Sequence, residues 1–183
     1  MPGRAQCLKL LEKHSVPGNM VRHALAVEKA AVFIAKKISE SGEKVDTALV
    51  SRGALLHDIG KPESLRFDGR HGNKGHGERG KEILLAEGMP PAVAEIARSH
   101  ALYIVMEKNP FKSIEEKIVF LADKRVNHGR IVPLDERFKY LLGRYGTTKE
   151  KFERISACRE KVEELEKELL GSAKSRKEFG ELE

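Results

Sequence analysis

The stretch "GALLHDIGKPES", residues 53–64, sets a histidine and an aspartate side by side where an apolar run ends. A carboxylate beside an imidazole at the end of a buried segment is costly unless both find partners. Leu49, Val50 and Ala54 precede His57 by eight, seven and three residues, which is helical spacing. His57 therefore belongs to the inward face of a helix, and the fold turns on what else faces it.

Composition points the same way. The chain of 183 residues suits one domain, or one domain with an appendage; 40% of it is hydrophobic, only 5% aromatic, and Trp is absent. The dominant Ala, Leu, Glu and Lys favour helix over sheet. Periodicity with Gly and Pro punctuation predicts helices over about 4–13, 20–41, 76–87, 91–104, 113–125 and 148–170. A further helix runs from near Asp46 to the His57-Asp58 pair, and a short one lies in "LDERFKYLLGRYG". Asn19 is expected to cap the second helix and Gly42 to close it. "GKPESLRFDGRHGNKG" reads as a basic, glycine-rich loop and "VNHGRIVP" as a plain one, with no β-hairpin signal and no internal repeat.

The expectation is an all-α protein: a helical domain over residues 1–147, then a C-terminal helix and tail over 148–183. That last helix carries an apolar stripe of Phe152, Ile155, Cys158, Val162, Leu165 and Leu169. The stripe can pack on the domain or pair two subunits as a homodimer. The tail after Gly171 is expected to fray.

No apolar h-region opens the chain and no apolar segment approaches a membrane span, so a soluble, cytoplasmic protein is expected, with no membrane partner. Cys7 and Cys158 stand alone, which suits two reduced thiols rather than a zinc site. The net charge is +6; residues 148–183 hold 9 Lys and Arg against 10 Asp and Glu, so the positive excess lies in the body of the domain. Such a field favours anionic ligands. The shortage of aromatics gives no stacking platform for nucleic acid, which is not the expected partner.

The histidines sort by helical neighbours. His23 shares a face with Val27, Ala30, Ala31 and Ile34; His76 leads Ile83 and Leu84 by seven and eight; His100 trails Val93 and Ile96 by seven and four. With His57, four histidines on four helices point at the core. Asp58 joins them, and so does Asp123 at the end of the apolar run "IVFLA". Each histidine alone would pass as a satisfied core residue. Neutral imidazoles gathered with ionised carboxylates are instead what a transition-metal site uses. A helical bundle with inward His and Asp is a usual architecture for one.

The order His23, then His57-Asp58, then Asp123 resembles the HD superfamily of metal-dependent phosphohydrolases, and "HDIGK" is similar to its HDIG subgroup. The resemblance spans about residues 20–126. It implies an HD-domain helical bundle in which His23, His57, Asp58 and Asp123 bind one metal. His76 in "HGERG" and His100 in "ARSHA" resemble the extra histidines of binuclear members, in which the motif aspartate, here Asp58, bridges two metals. The "GYP" motif of the cyclic dinucleotide branch is absent. The implied cofactors are two divalent transition metals, from among Mn, Fe, Co, Ni and Zn.

The implied activity is phosphatase or phosphodiesterase, with a metal-bound hydroxide attacking in line on a phosphorylated, nucleotide-like small molecule. Asp58 and Lys61 are the expected catalytic residues, and Lys61 is the first candidate for a phosphate contact. Arg70, His71, Lys74 and Arg79, in or beside the glycine-rich loop, are candidate substrate contacts. His14 is expected on the surface, and His128 in "VNHGR" is a further candidate contact. Two other classes share the ligand set: an HD-fold di-iron oxygenase, and a domain that senses a nucleotide or metal without turnover.

Overall fold

Helix α2, Gly18–Glu40, carries Ala24, Val27, Ala30, Ala31, Ile34, Ala35 and Ile38 at helical spacing, and all seven are buried. It is a central rod, packed against the helices over Thr47–Leu56, Ile114–Lys124 and Lys149–Leu170. The computed structural model describes residues 1–62, 75–171, 178–179 and 181–182. Before α2 comes α1 (Arg4–Lys13), and after it come α3 (Thr47–Leu56), α4 (Gly75–Ala86) and α5 (Pro91–Ser99). Then follow a 3₁₀ turn over Leu102–Met106, α6 (Ile114–Lys124), strands β1 (Val126–Asn127) and β2 (Arg130–Ile131), α7 (Leu134–Tyr145) and α8 (Lys149–Leu170). The protein is all-α, with one two-stranded ribbon among the described residues.

Local chemistry sets several of the helix ends. Asp46, Ser113 and Thr148 cap α3, α6 and α8, their side chains accepting from the backbone amides of Leu49, Glu116 and Lys151. The cap of α2 is Pro17 rather than the expected Asn19, and it brings no side-chain hydrogen bond. Proline's fixed φ gives the chain its extended entry, and the helix starts at Gly18, so Asn19 falls inside the first turn. Gly42, at φ +93°, ends the helix in the left-handed conformation that glycine takes without strain.

Four further sequence expectations need correction. The expected 91–104 helix stops at Ser99, and Leu102–Met106 forms the separate 3₁₀ turn. Lys61 and Pro62, read as loop, are helical. "VNHGRIVP" contains the β1–β2 hairpin, in register Val126 with Ile131 and Asn127 with Arg130. Its two-residue turn, His128 and Gly129, has φ of 50° and 80°, the left-handed pair that a tight hairpin needs. The tail does not simply fray, because Phe179 is fully buried, stacked on Phe33 with ring centroids 5.6 Å apart and lying under the Arg125 guanidinium.

Two apolar clusters fill the interior. One gathers α2, α3, α6, α7 and α8 around Phe120, Phe138 and Ile34; the other joins α1, α4 and α5 to the end of α3 through Leu55, Leu56, Ile59 and Leu84. Burying a side chain of this size contributes about 1.5 to 3 kcal/mol. The C-terminal stripe belongs to the first cluster: Ile155, Cys158, Val162, Leu165 and Leu169 are buried, whereas Phe152 is exposed. Glu28 of α2 ties α1 and α3 together, accepting from Arg4 at 2.8 to 3.0 Å and from Ser51 at 2.6 Å. No helix among the described residues is long and apolar enough to cross a membrane.

Candidate metal centre

His57 and His100 occupy equivalent places in two helices. Each is the residue that caps a helix C-terminus, α3 and α5, where carbonyls lack intrahelical partners. His57 Nδ1 lies 2.7 Å from the Ala54 carbonyl, and His100 Nδ1 lies 2.6 Å from that of Ala97. A carbonyl only accepts, so each Nδ1 carries the proton and donates it. In the neutral ring, Nε2 is then a lone pair aimed inward, the arrangement seen in metal-ligating histidines.

The helix that carries His76 reaches this point through glycines. A Cβ at Gly60 would stand 2.4 Å from both Gly80 N and His76 O, and one at Gly77 would stand 2.7 Å from Arg98 O. With no side chain at these places, α4 lies backbone to backbone on the Asp58–Gly60 turn and on the end of α5. His76 Nε2 thereby comes to 2.9 Å from His100 Nε2 and 3.8 Å from Asp58 Oδ1.

Asp58 sits between two sets of imidazoles. Its Oδ1 is 3.1 Å from His100 Nε2, and its Oδ2 is 3.6 Å from His57 Nε2 and 2.9 Å from Lys61 Nζ. On the far side, Asp123 Oδ1 is 2.9 Å from His23 Nε2 and 3.7 Å from His57 Nε2. Except for His23, which is partly exposed, all these His and Asp residues are buried. Two groups can each hold a metal ion: His23, His57 and Asp58, and Asp58, His76 and His100, with ligand atoms within 4.8 Å of one another. Asp123 adjoins the first.

Electrostatics makes both carboxylates anionic. Burial opposes the charge on Asp58, but Lys61, His57 and His100 outweigh it and hold the carboxyl well below its usual range. Burial likewise opposes Asp123, and Lys124, His23 and His57 bring it down. Desolvation pushes His76 down to about 3, helped by the nearby His100, and desolvation lowers His100 as well. At His57 burial disfavours the cation, yet Asp58 and Asp123 prevail and raise the pKa. Two ionised acids thus ask for positive charge where the lowered imidazoles of His76 and His100 stay neutral.

A proton does not meet that demand well. His57 Nε2 has no hydrogen-bond partner, because both carboxylate oxygens stand beyond hydrogen-bonding reach. His100 Nε2, a lone pair, faces the Asp58 oxygen acceptor to acceptor. A divalent cation fits both observations: ligand bonds of about 2.0 to 2.2 Å place neighbouring donor atoms roughly 3 to 3.5 Å apart. The nitrogen and carboxylate donors are also the types that transition metals accept.

Lys61, half-buried, stays bound to Asp58, which raises its pKa against burial. Lys124, which the sequence reading missed, is buried; it donates to the His100 carbonyl at 2.8 Å and pairs with Asp123. A lysine inside "IVFLADKRV" was its one available signal. Arg79 lies on the exposed face of α4 and pairs with Glu82 at 2.9 Å. The candidate contacts Arg70, His71 and Lys74 lie outside the described residues. His14, expected on the surface, is partly buried and bonded to Glu87 at 2.9 Å. His128 is exposed, edge-on to the Tyr140 ring at 5.0 Å.

The family model of the HD domain matches residues 20–127, which contain all six candidate ligands. The chain belongs to the HD domain family. An uncharacterized protein of Methanocaldococcus jannaschii is 31% identical over 158 residues, covering 80% of this HD-domain chain and 89% of the relative. Two proteins named tRNA (cytidine(56)-2'-O)-methyltransferase are each 30% identical: that of Picrophilus torridus over 79% of this chain, and that of Thermoplasma volcanium over 72%. The match spans only 41% and 40% of those two proteins. No solved structure is significantly similar. Helices α7 and α8 lie beyond the residues matched to the HD domain.

Proposed function

We propose that this HD domain is a metal-dependent phosphohydrolase of the HDIG type, with a two-metal centre, that cleaves a nucleotide-like phosphate mono- or diester. The observation that carries the reading is the position of Asp58, whose Oδ1 faces His76 and His100 while its Oδ2 faces His57 and Lys61. A carboxylate with each oxygen turned to a different imidazole set is suited to bridging two cations. His23, His57, Asp58 and Asp123 would hold one, and Asp58, His76 and His100 the other. When bound, divalent cations supply Lewis acidity toward phosphoryl oxygens and a water acidic enough to attack near neutral pH.

The chain's own residues do the rest. The Ala54 and Ala97 carbonyls hold His57 and His100 in the tautomer that binds through Nε2. Lys61 spends one donor on Asp58 and keeps others for a phosphoryl oxygen, where negative charge grows during in-line displacement. The positive body of the domain draws an anionic ester in. A second reading places that ester on RNA, since two relatives matched over part of their length bear the name of a tRNA methyltransferase.

The test is protein purified without chelator, reloaded with Mn, Fe, Co, Ni or Zn, and offered nucleotides, phosphodiesters and a short oligoribonucleotide. Phosphate ester hydrolysis is expected with at least one metal. Asp58→Asn should abolish it, and Lys61→Ala should lower kcat/KM by about 1.5 to 3 kcal/mol, as for a lost charge-assisted hydrogen bond. Oxygen consumption with no ester cleaved would move the protein to the oxygenase class. Tight nucleotide binding without turnover would make it a sensor.

A further inference from the structure

Three cations lie on or against the segment Asp123–Asn127, and two are already paired, Lys124 with Asp123 and Arg125 with Glu166. The third, Arg137 of α7, has no carboxylate within ion-pairing distance among the described residues. Its Nη1 donates to Asn127 Oδ1 at 3.2 Å, and its guanidinium lies over the Tyr140 ring, 5.6 Å from the centroid. Its Nε is inaccessible to solvent yet has no hydrogen-bond partner. An N–H of a charged group buried without an acceptor is expensive, but the residue as a whole is only partly buried, so the Nη end of the guanidinium can meet an anion.

This guanidinium is tied to the strand that directly follows the helix of Asp123. Asn127, to which it is tied, is buried four residues after Asp123, and Arg137 is near enough to Lys124 to oppose that ammonium's protonation. The hairpin turn closes the same side: Gly129 lies against Arg22, the neighbour of His23. Arg137 is thus a rigidly backed fork, of the type that binds phosphate through two N–H groups.

We propose that Arg137, backed by Asn127 and Tyr140, binds a second, non-reacting phosphate of the substrate, so that the site prefers esters carrying two or more phosphates over simple monoesters. This rests on the hydrolase reading for the place of the reacting phosphate. Both residues of α7 lie beyond the part of the chain matched to the HD domain, so the preference would be a property of this chain's own C-terminal region.

The test is titration calorimetry on the metal-loaded full chain with inorganic phosphate and with pyrophosphate. Wild type should bind pyrophosphate about tenfold tighter or more, and Arg137→Met should lose that preference, as expected for a charge-assisted pair. Metal content and thermal midpoint should stay unchanged. Arg137→Lys, which keeps the stem and charge but not the fork, should show a smaller loss, and it carries the test if the Met variant fails to fold. In kinetics, the Met variant should raise KM for a nucleoside diphosphate with little change in kcat and leave p-nitrophenyl phosphate unaffected. Running ADP beside a short oligoribonucleotide tells whether the second phosphate comes from a nucleotide or an RNA backbone. An unchanged pyrophosphate preference in both variants, or none in wild type, overturns the proposal. Lost preference in a protein that hydrolyses no ester would retain the anion site and sink the hydrolase reading instead.

Discussion

Gly60 and Gly80 touch through their backbones: a Cβ at position 60 would stand 2.4 Å from the Gly80 amide nitrogen and equally close to the His76 carbonyl. The fourth residue of the "HDIG" motif is therefore a docking surface for the helix that brings His76 to Asp58.

Gly60→Ala should separate α4 from the centre, because the atoms in the way are backbone and cannot rotate aside. Overpacking of this kind costs about 1 to 3 kcal/mol or more. The denaturant midpoint should fall, and binding at the His76 and His100 group should weaken more than at His23 and Asp123. Selective loss of one metal equivalent in a folded variant is the result to look for; wild-type metal content and stability would contradict it.

A charge cluster holds the same helix from the other side. Glu95 of α5 accepts from Lys81 of α4 at 2.5 Å and from Arg98 at 2.8 Å; burial pushes its carboxyl up, but those partners outweigh it and hold the pKa at about 2. A depressed folded pKa adds stability that is complete above the ordinary value of 4.5 and is lost as pH falls toward 2. Glu95→Gln should flatten the acid limb of the stability curve in that window and cost about 1 kcal/mol or less at pH 7. Parallel curves for variant and wild type between pH 5 and 2 would remove Glu95 from the account.

Phe179 is a buried anchor at the end of the chain. Phe179→Ala should destabilise by about 3 to 5 kcal/mol, as for other large core truncations, and lower the urea midpoint. A variant as stable as wild type would mean that the C-terminal segment does not pack in solution.

How far the sequence foretold this follows from the kind of signal each feature leaves. Helical spacing carried His23, His57, His76 and His100 inward because a 3.6-residue period ties each to apolar neighbours, and Asp123 stood out as a charge closing an apolar run. Lys124 and Arg137 had no such mark, since their roles depend on contacts with His100 and Asn127 far along the chain or on another element. The hairpin escaped because two-residue strands are too short for alternation, and its His128-Gly129 turn lacks the usual Asn-Gly. Phe179 escaped because a lone aromatic in a polar tail has no period at all. The Gly60–Gly80 contact is legible only once α4 is placed on the Asp58–Gly60 turn.

Metal stoichiometry bears most directly on the central claim that Asp58 joins two ligand sets. Protein purified without chelator and saturated with one transition metal should bind two equivalents by elemental analysis. The His76→Ala/His100→Ala double variant should keep about one, with its His23, His57, Asp58 and Asp123 set intact. Two equivalents retained in that double variant would contradict the account.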